Sequence, residues 1–239
     1  RVLVDGGLAE CGKVLRKKVK ALSPEERRFD LGVATHIDTD HINGMINLLR
    51  DIPDGLTFDY FWFNGYDQIK PSGIKGIAQG IELSTLLTNL ETRERRSFWN
   101  KPFRRKAVML SDSGIPRTVT LKGGMKMTIL GPSPRGVTEL FREWEKVVRE
   151  ARMTPQPEEM AETAGEEETL REEEAEIFSV EELAESDFTQ DDSPSNGSSI
   201  VLLAQFEGES ILLTGDAFPG DIVAGIRRII PVGEKLLLS

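Results

Sequence analysis

Histidine and cysteine are nearly missing from this chain, which holds two of the first and one of the second in 239 residues. One cysteine, Cys11, cannot close an internal disulfide. That excludes a disulfide-stapled fold and suits a reducing, cytoplasmic setting. Cys11 falls in a helical pattern and reads as packing, since no neighbour in sequence would lower its pKa toward a nucleophile's. Long apolar runs are missing too. Nothing approaches the ~20 residues of a membrane-crossing helix, and no basic-then-apolar leader is present, so no membrane segment is expected. An initiating methionine is absent: Arg1-Val2-Leu3-Val4-Asp5-Gly6-Gly7 reads as a strand already under way. Lys235-Leu236-Leu237-Leu238-Ser239 reads as the approach to another. A piece of a longer protein is expected.

Basic charge is nearly absent from one region. Between Glu158 and Asp192 stand 13 Glu and 3 Asp against Arg171 alone, a balance of −15 in a chain of −10, so the rest carries +5. Such a repetitive, aromatic-poor run is solvated or partner-facing. Residues 153–195 read as an insertion that divides one domain into 1–152 and 196–239, with a possible helix at Leu170–Phe178 and a protein partner as its possible role.

The two histidines lie together. His36-Ile37-Asp38-Thr39-Asp40-His41 puts four potential metal ligands into six residues, between the apolar run Leu31–Ala34 and the helix-like spacing that begins at Asn43. Imidazole nitrogens and carboxylate oxygens are what zinc and first-row divalent ions accept. Metal binding is the reading that avoids two independent coincidences.

Periodicity predicts a helix over Leu8–Leu22, with Leu8, Cys11, Leu15, Val19 and Leu22 on one face. Ser23-Pro24-Glu25-Glu26 predicts a capped short helix, and strands are expected at Phe29–Ala34 and Phe58–Phe63. A long helix is expected over Ile77–Arg95, with Ile81, Leu86, Leu87 and Leu90 in the core. The basic stretch that follows, Lys101, Arg104, Arg105 and Lys106 with Phe98, Trp99 and Phe103 interleaved, suits either a nucleic-acid surface or aromatics packed beneath solvated charges. Strands are predicted at Ala107–Leu110, Arg117–Leu121, Met125–Leu130, Ser199–Phe206 and Ser210–Thr214, and helices at Val137–Ala151 and Ala217–Ile230. Runs of strands with intervening helices predict a layered α/β sandwich.

With His36-x-Asp38-x-Asp40-His41 and Leu212-Leu213-Thr214-Gly215-Asp216 in place, the chain resembles the metallo-β-lactamase-fold hydrolases. Within them it is most similar to the lactamase-like domain of ComEC-type competence proteins and its free-standing relatives. Val2–Gly7, Thr35–Gly44, Asn196–Leu202 and Ile211–Asp216 carry the resemblance, in order. It implies an αββα sandwich with the site at one edge. His36 and Asp38 would serve one metal, Asp40 and His41 a second, and Asp216 would bridge them. Aspartate at position 38, where the wider family has histidine, makes the site harder and more anionic and shifts its preference from zinc toward manganese or magnesium. The family's histidine near Asn196 or Ser198 has no counterpart, and its last histidine would follow Ser239. Two divalent ions, zinc or manganese, would activate a water, with Asp40 the catalytic candidate that accepts its proton. Asp5 would orient the motif loop or simply occupy a strand-end turn, and Asn196 and Ser199 are candidate substrate contacts. The expected activity is metal-dependent hydrolysis of phosphodiesters, nuclease-like, with nucleic acid as a possible substrate. A catalytically weak binding module in a larger assembly, or an esterase or thioesterase, are the alternatives.

Overall fold

In a computed structural model, residues 1–65, 78–111, 113–153, 193–230 and 238 are described. Strands β1 (Val2–Val4), β2 (Arg28–Val33) and β3 (Thr57–Trp62) form a parallel sheet in chain order, with Val4 beside Val33 and Val33 beside Trp62. Helices α1 (Ala9–Ala21) and α2 (Thr39–Arg50) supply the two crossovers, as parallel pairing requires. Strands β4 (Thr118–Thr120), β5 (Lys126–Gly131), β6 (Val201–Phe206) and β7 (Glu209–Leu213) form a separate antiparallel sheet, also in chain order. Further helices are α3 (Ala78–Glu94), α4 (Pro134–Met153), the single turn α5 (Pro194–Gly197) and α6 (Pro219–Ile226).

Three apolar clusters set the layers. Phe29, Phe58, Phe61 and Phe63 pack with Val19 of α1, Ile42, Met45 and Leu48 of α2, and Leu83, Leu87 and Leu90 of α3. From the opposite face of the parallel sheet, Leu31, Val33 and Trp62 meet Met127, Ile129 and Leu202 of the antiparallel one, with Ile200 just ahead of β6. The outer face of that second sheet, Leu130, Val201 and Leu203, is covered by Ile222 and Ile226 of α6. The period-2 alternation of β5 and β6 makes this possible, because adjacent residues feed different clusters.

Several expectations move. α2 begins at Thr39 with Asp38 as its N-cap, not at Asn43, so half of the metal motif is helical. Cys11 is exposed, because α1 approaches α2 through Gly12. A Cβ there would stand 2.6 Å from the Asn47 Cβ, and this close approach turns the contact stripe away from Leu8 and Cys11. In α3 the buried face is Leu83, Leu87 and Leu90; Ile81 is half-buried. Ala107–Leu110 joins neither sheet. The Asn64 side chain takes both backbone groups of Val108, accepting from its N–H at 2.7 Å and donating to its carbonyl at 2.9 Å. Phe98, Trp99 and Phe103 are buried, which decides for the packed-aromatic reading of the basic stretch. Ile77, most of the 153–195 segment with its expected helix at 170–178, and all of 235–239 except Leu238 lie outside the described residues.

Candidate metal centre

Parallel strands place their C-terminal ends on one edge, where ligand sites of α/β sheets gather. Asp5 follows β1 and Thr35-His36 follow β2 on that edge. In the antiparallel sheet the start of β6 and the end of β7 share an edge, Leu202 pairing with Leu213, so Ser199 and Asp216 arrive side by side. One backbone bond joins the two edges: Ile200 N donates to Thr35 O at 2.9 Å. Glycines permit the approach. A Cβ on Gly44 would overlap the Gly6 carbonyl, and one on Gly215, whose φ is +51°, would lie 2.9 Å from both Cβ and Oγ1 of Thr35.

On this frame the expected ligands converge. His36 and His41 have ring centroids 4.1 Å apart at 48°. Asp38 Oδ2 lies 3.5 Å from His36 Nε2, while Asp40 Oδ2 and Asp216 Oδ1 lie 3.6 and 3.4 Å from His41 Nε2. One ligand atom each of His36, His41 and Asp216 falls within 4.8 Å of the others. Asp38 makes no side-chain capping bond in spite of its N-cap position, which leaves its carboxylate to the site. Asp5, at φ +52°, accepts from Thr35 N at 2.8 Å and from the Thr35 hydroxyl at 2.8 Å, and its Oδ2 lies 3.0 Å from His41 Nδ1. It orients the motif loop from the strand-end turn; the two readings of Asp5 coincide.

The residues fit a divalent cation. The His36 side chain has no solvent exposure, and its Nε2 has no hydrogen-bond partner. A buried polar atom without a partner needs a reason, and a coordinating nitrogen beside carboxylates is one. Nitrogen and oxygen donors together suit zinc or manganese. The electrostatics agree. Burial pushes His41 down, but the Asp5 bond and the charges of Asp5, Asp216 and Asp40 outweigh it and hold the imidazole above its usual range.

Both expected substrate residues, Asn196 and Ser199, are buried. Ser199 Oγ accepts from Asp216 N at 3.3 Å and so steadies the backbone of Asp216. Sequence reasoning missed Thr35. Thr35 stands directly before His36, but its partners, Asp5, Ile200 and Gly215, are brought to it only by the fold. A cavity of about 690 Å³ between α4, α5 and α6, lined by Arg135, Glu139, Arg142, Lys146, Phe218 and Asp221, includes none of the five candidate ligand side chains. Among the described residues no helix is long and apolar enough to cross a membrane. Set against protein-family models, curated proteins and solved structures, the chain matches none, so what the site can do is read from its own geometry.

Proposed function

We propose that the chain is a metal-dependent hydrolase of the metallo-β-lactamase fold acting on phosphodiesters. The observation that carries the reading is the meeting of His36, His41 and Asp216 within 4.8 Å, although His41 and Asp216 stand 175 positions apart in sequence. The clusters on both faces of the two sheets support an αββα sandwich, and the gathering of His36, His41 and Asp216 at the sheet edges supports a site of the kind the resemblance implies.

In this reading His36 and Asp38 would hold one cation and His41 and Asp40 a second, with Asp216 available to either; zinc or manganese would fit the donors. Bound divalent cations supply Lewis acidity, raising the acidity of water and stabilising anionic charge on the substrate. Asp40, with a side chain 59% exposed, is open to solvent and takes a proton there. Asp5 and Ser199 hold the ring and the strand-end ligand in place. A polyanionic substrate suits a chain whose charge outside the acidic segment is positive.

The test is cleavage of a generic phosphodiester and of single-stranded DNA with manganese or zinc. Asp40→Ala and Asp216→Ala are each expected to lower the rate at least ~100-fold; undiminished rates in both would remove the assignment. A second reading, a weakly catalytic binding module, is favoured by one observation: the ligands within mutual reach number three rather than five. Metal binding without turnover in the intact protein would decide for it.

A further inference from the structure

The chain has two imidazoles, and a single carboxylate faces both, one directly and one through a hydroxyl. Asp5 Oδ2 lies 3.0 Å from His41 Nδ1 and 2.8 Å from Thr35 Oγ1, and Thr35 Oγ1 in turn lies 3.0 Å from His36 Nδ1. Thr35 is buried, with 1% exposure, so water does not compete for its hydroxyl. We infer that Thr35 is a positioning residue that sets the proton on His36, so that Asp5 fixes the tautomer of both rings and turns both Nε2 atoms into lone-pair donors.

The inference follows from counting protons. An ionised carboxylate can only accept, whereas a hydroxyl has one proton to give. Thr35 Oγ1 therefore gives its proton to Asp5 and meets His36 Nδ1 with a lone pair. That contact is attractive only if Nδ1 carries a hydrogen, which leaves Nε2 bare. The same carboxylate requires a hydrogen on His41 Nδ1. The competing arrangement puts the His36 proton on Nε2, aimed at Asp38 Oδ2. At 3.5 Å no hydrogen bond is formed there, and Thr35 Oγ1 and Nδ1 would then face each other lone pair to lone pair at 3.0 Å. The hydroxyl is held for this task by the rest of Thr35: its N–H donates to the other oxygen of Asp5, its carbonyl accepts from Ile200, and its Cβ lies against Gly215. The use of bare Nε2 atoms rests on the metal-centre reading. The proton pattern does not.

The experiment is long-range nitrogen–proton correlation NMR on the metal-stripped, full-length chain at mildly alkaline pH, above the range in which imidazole ordinarily titrates. Only two rings contribute, and His41→Ala assigns them. Both rings are expected as Nδ1–H. Thr35→Val keeps the side-chain shape and removes the hydroxyl; it is expected to move His36 to a mixture or to Nε2–H while His41 stays, and Thr35→Ser is expected to restore the wild-type pattern. An Nε2–H His36 in the wild type overturns the inference without any variant, and so does a folded Thr35→Val that keeps Nδ1–H. Manganese affinity supplies the separate arm, with a drop of roughly 10-fold expected in Thr35→Val. The expected tautomers without manganese or zinc binding would leave the inference standing and remove the function.

Discussion

Asp5 occupies the left-handed region that, among residues with a Cβ, Asn and Asp tolerate best, and there its two oxygens serve Thr35 and His41 together. Gly215 matters for the same edge from the other side. Its positive φ and its contact with Thr35 leave no room for a methyl group. Gly215→Ala is expected to shift Asp216, weakening manganese binding roughly 10-fold and lowering stability by about 1 kcal/mol or somewhat more. Chelator competition and urea unfolding measure the two effects. Unchanged metal affinity in the folded variant would show that Asp216 is not held by this contact.

Elements meet at comparable points. α2 reaches the β1 turn through Gly44 and Gly6, so Gly44→Ala is expected to cost about 1–3 kcal/mol by overpacking backbone against backbone. An unfolding midpoint equal to wild type would contradict the packing described. The turn after α3 is organised by Glu91, whose Oε1 accepts from Phe98 N at 2.7 Å and Trp99 N at 2.8 Å, while Oε2 pairs with Arg105 at 2.6 Å. Burial pushes this carboxyl up, but Arg105 and the two N–H donors prevail and hold it below the usual value. A folded-state pKa below the unfolded one stabilises fully above the unfolded value and is lost as pH falls through the folded one. Glu91→Gln is accordingly expected to cost about 1–2 kcal/mol near neutral pH, with the difference from wild type shrinking as the pH drops below that of an ordinary glutamate. A gap independent of pH would mean that shape, not charge, is what Glu91 contributes.

Local chemistry made these elements legible. Ser23 and Glu26 form the capping box that their spacing announces, and Gly123 and Gly124, at φ +99° and +98°, make the turn before β5. Reading failed where a distant partner decides. Ala107–Leu110 has strand composition, yet Asn64 claims its backbone. Cys11 has helical spacing, yet Gly12 sets the contact. The 36–41 cluster could be picked out because it is local, and Asp216 because a Thr-Gly-Asp strand end resembles a known one; the structure brings His36, His41 and Asp216 together. Thr35 acts through neighbours far along the chain, and no spacing rule exposes that.

For the molecule as a whole, charge is divided between a −15 segment and a +5 remainder. The turn α5 lies against the start of α4, with Gly136 facing the Gly197 carbonyl, whereas the segment 154–192 leaves from the other end of α4. From Gly136 to Met153 is roughly 26 Å of helix, so any replacement must return over that distance, about eight extended residues at least. Exchanging 156–190 for a Gly/Ser linker of about 12 residues is expected to leave the thermal midpoint within a few degrees and to raise single-stranded DNA affinity at low salt, with a steeper salt dependence. Loss of cooperative unfolding would place the acidic segment in the core. Unchanged DNA affinity would separate the charge division from substrate binding.

The central claim is that the turn at 36–41 and the carboxylate of Asp216 form one cation site. It is tested most directly by elemental analysis of the full chain after manganese or zinc loading and gel filtration, beside His41→Ala and Asp216→Ala with matching circular dichroism. At least one ion per chain is expected in the wild type, with most of it lost in each variant. An ion-free wild type, or equal loading in all three proteins, would contradict the claim.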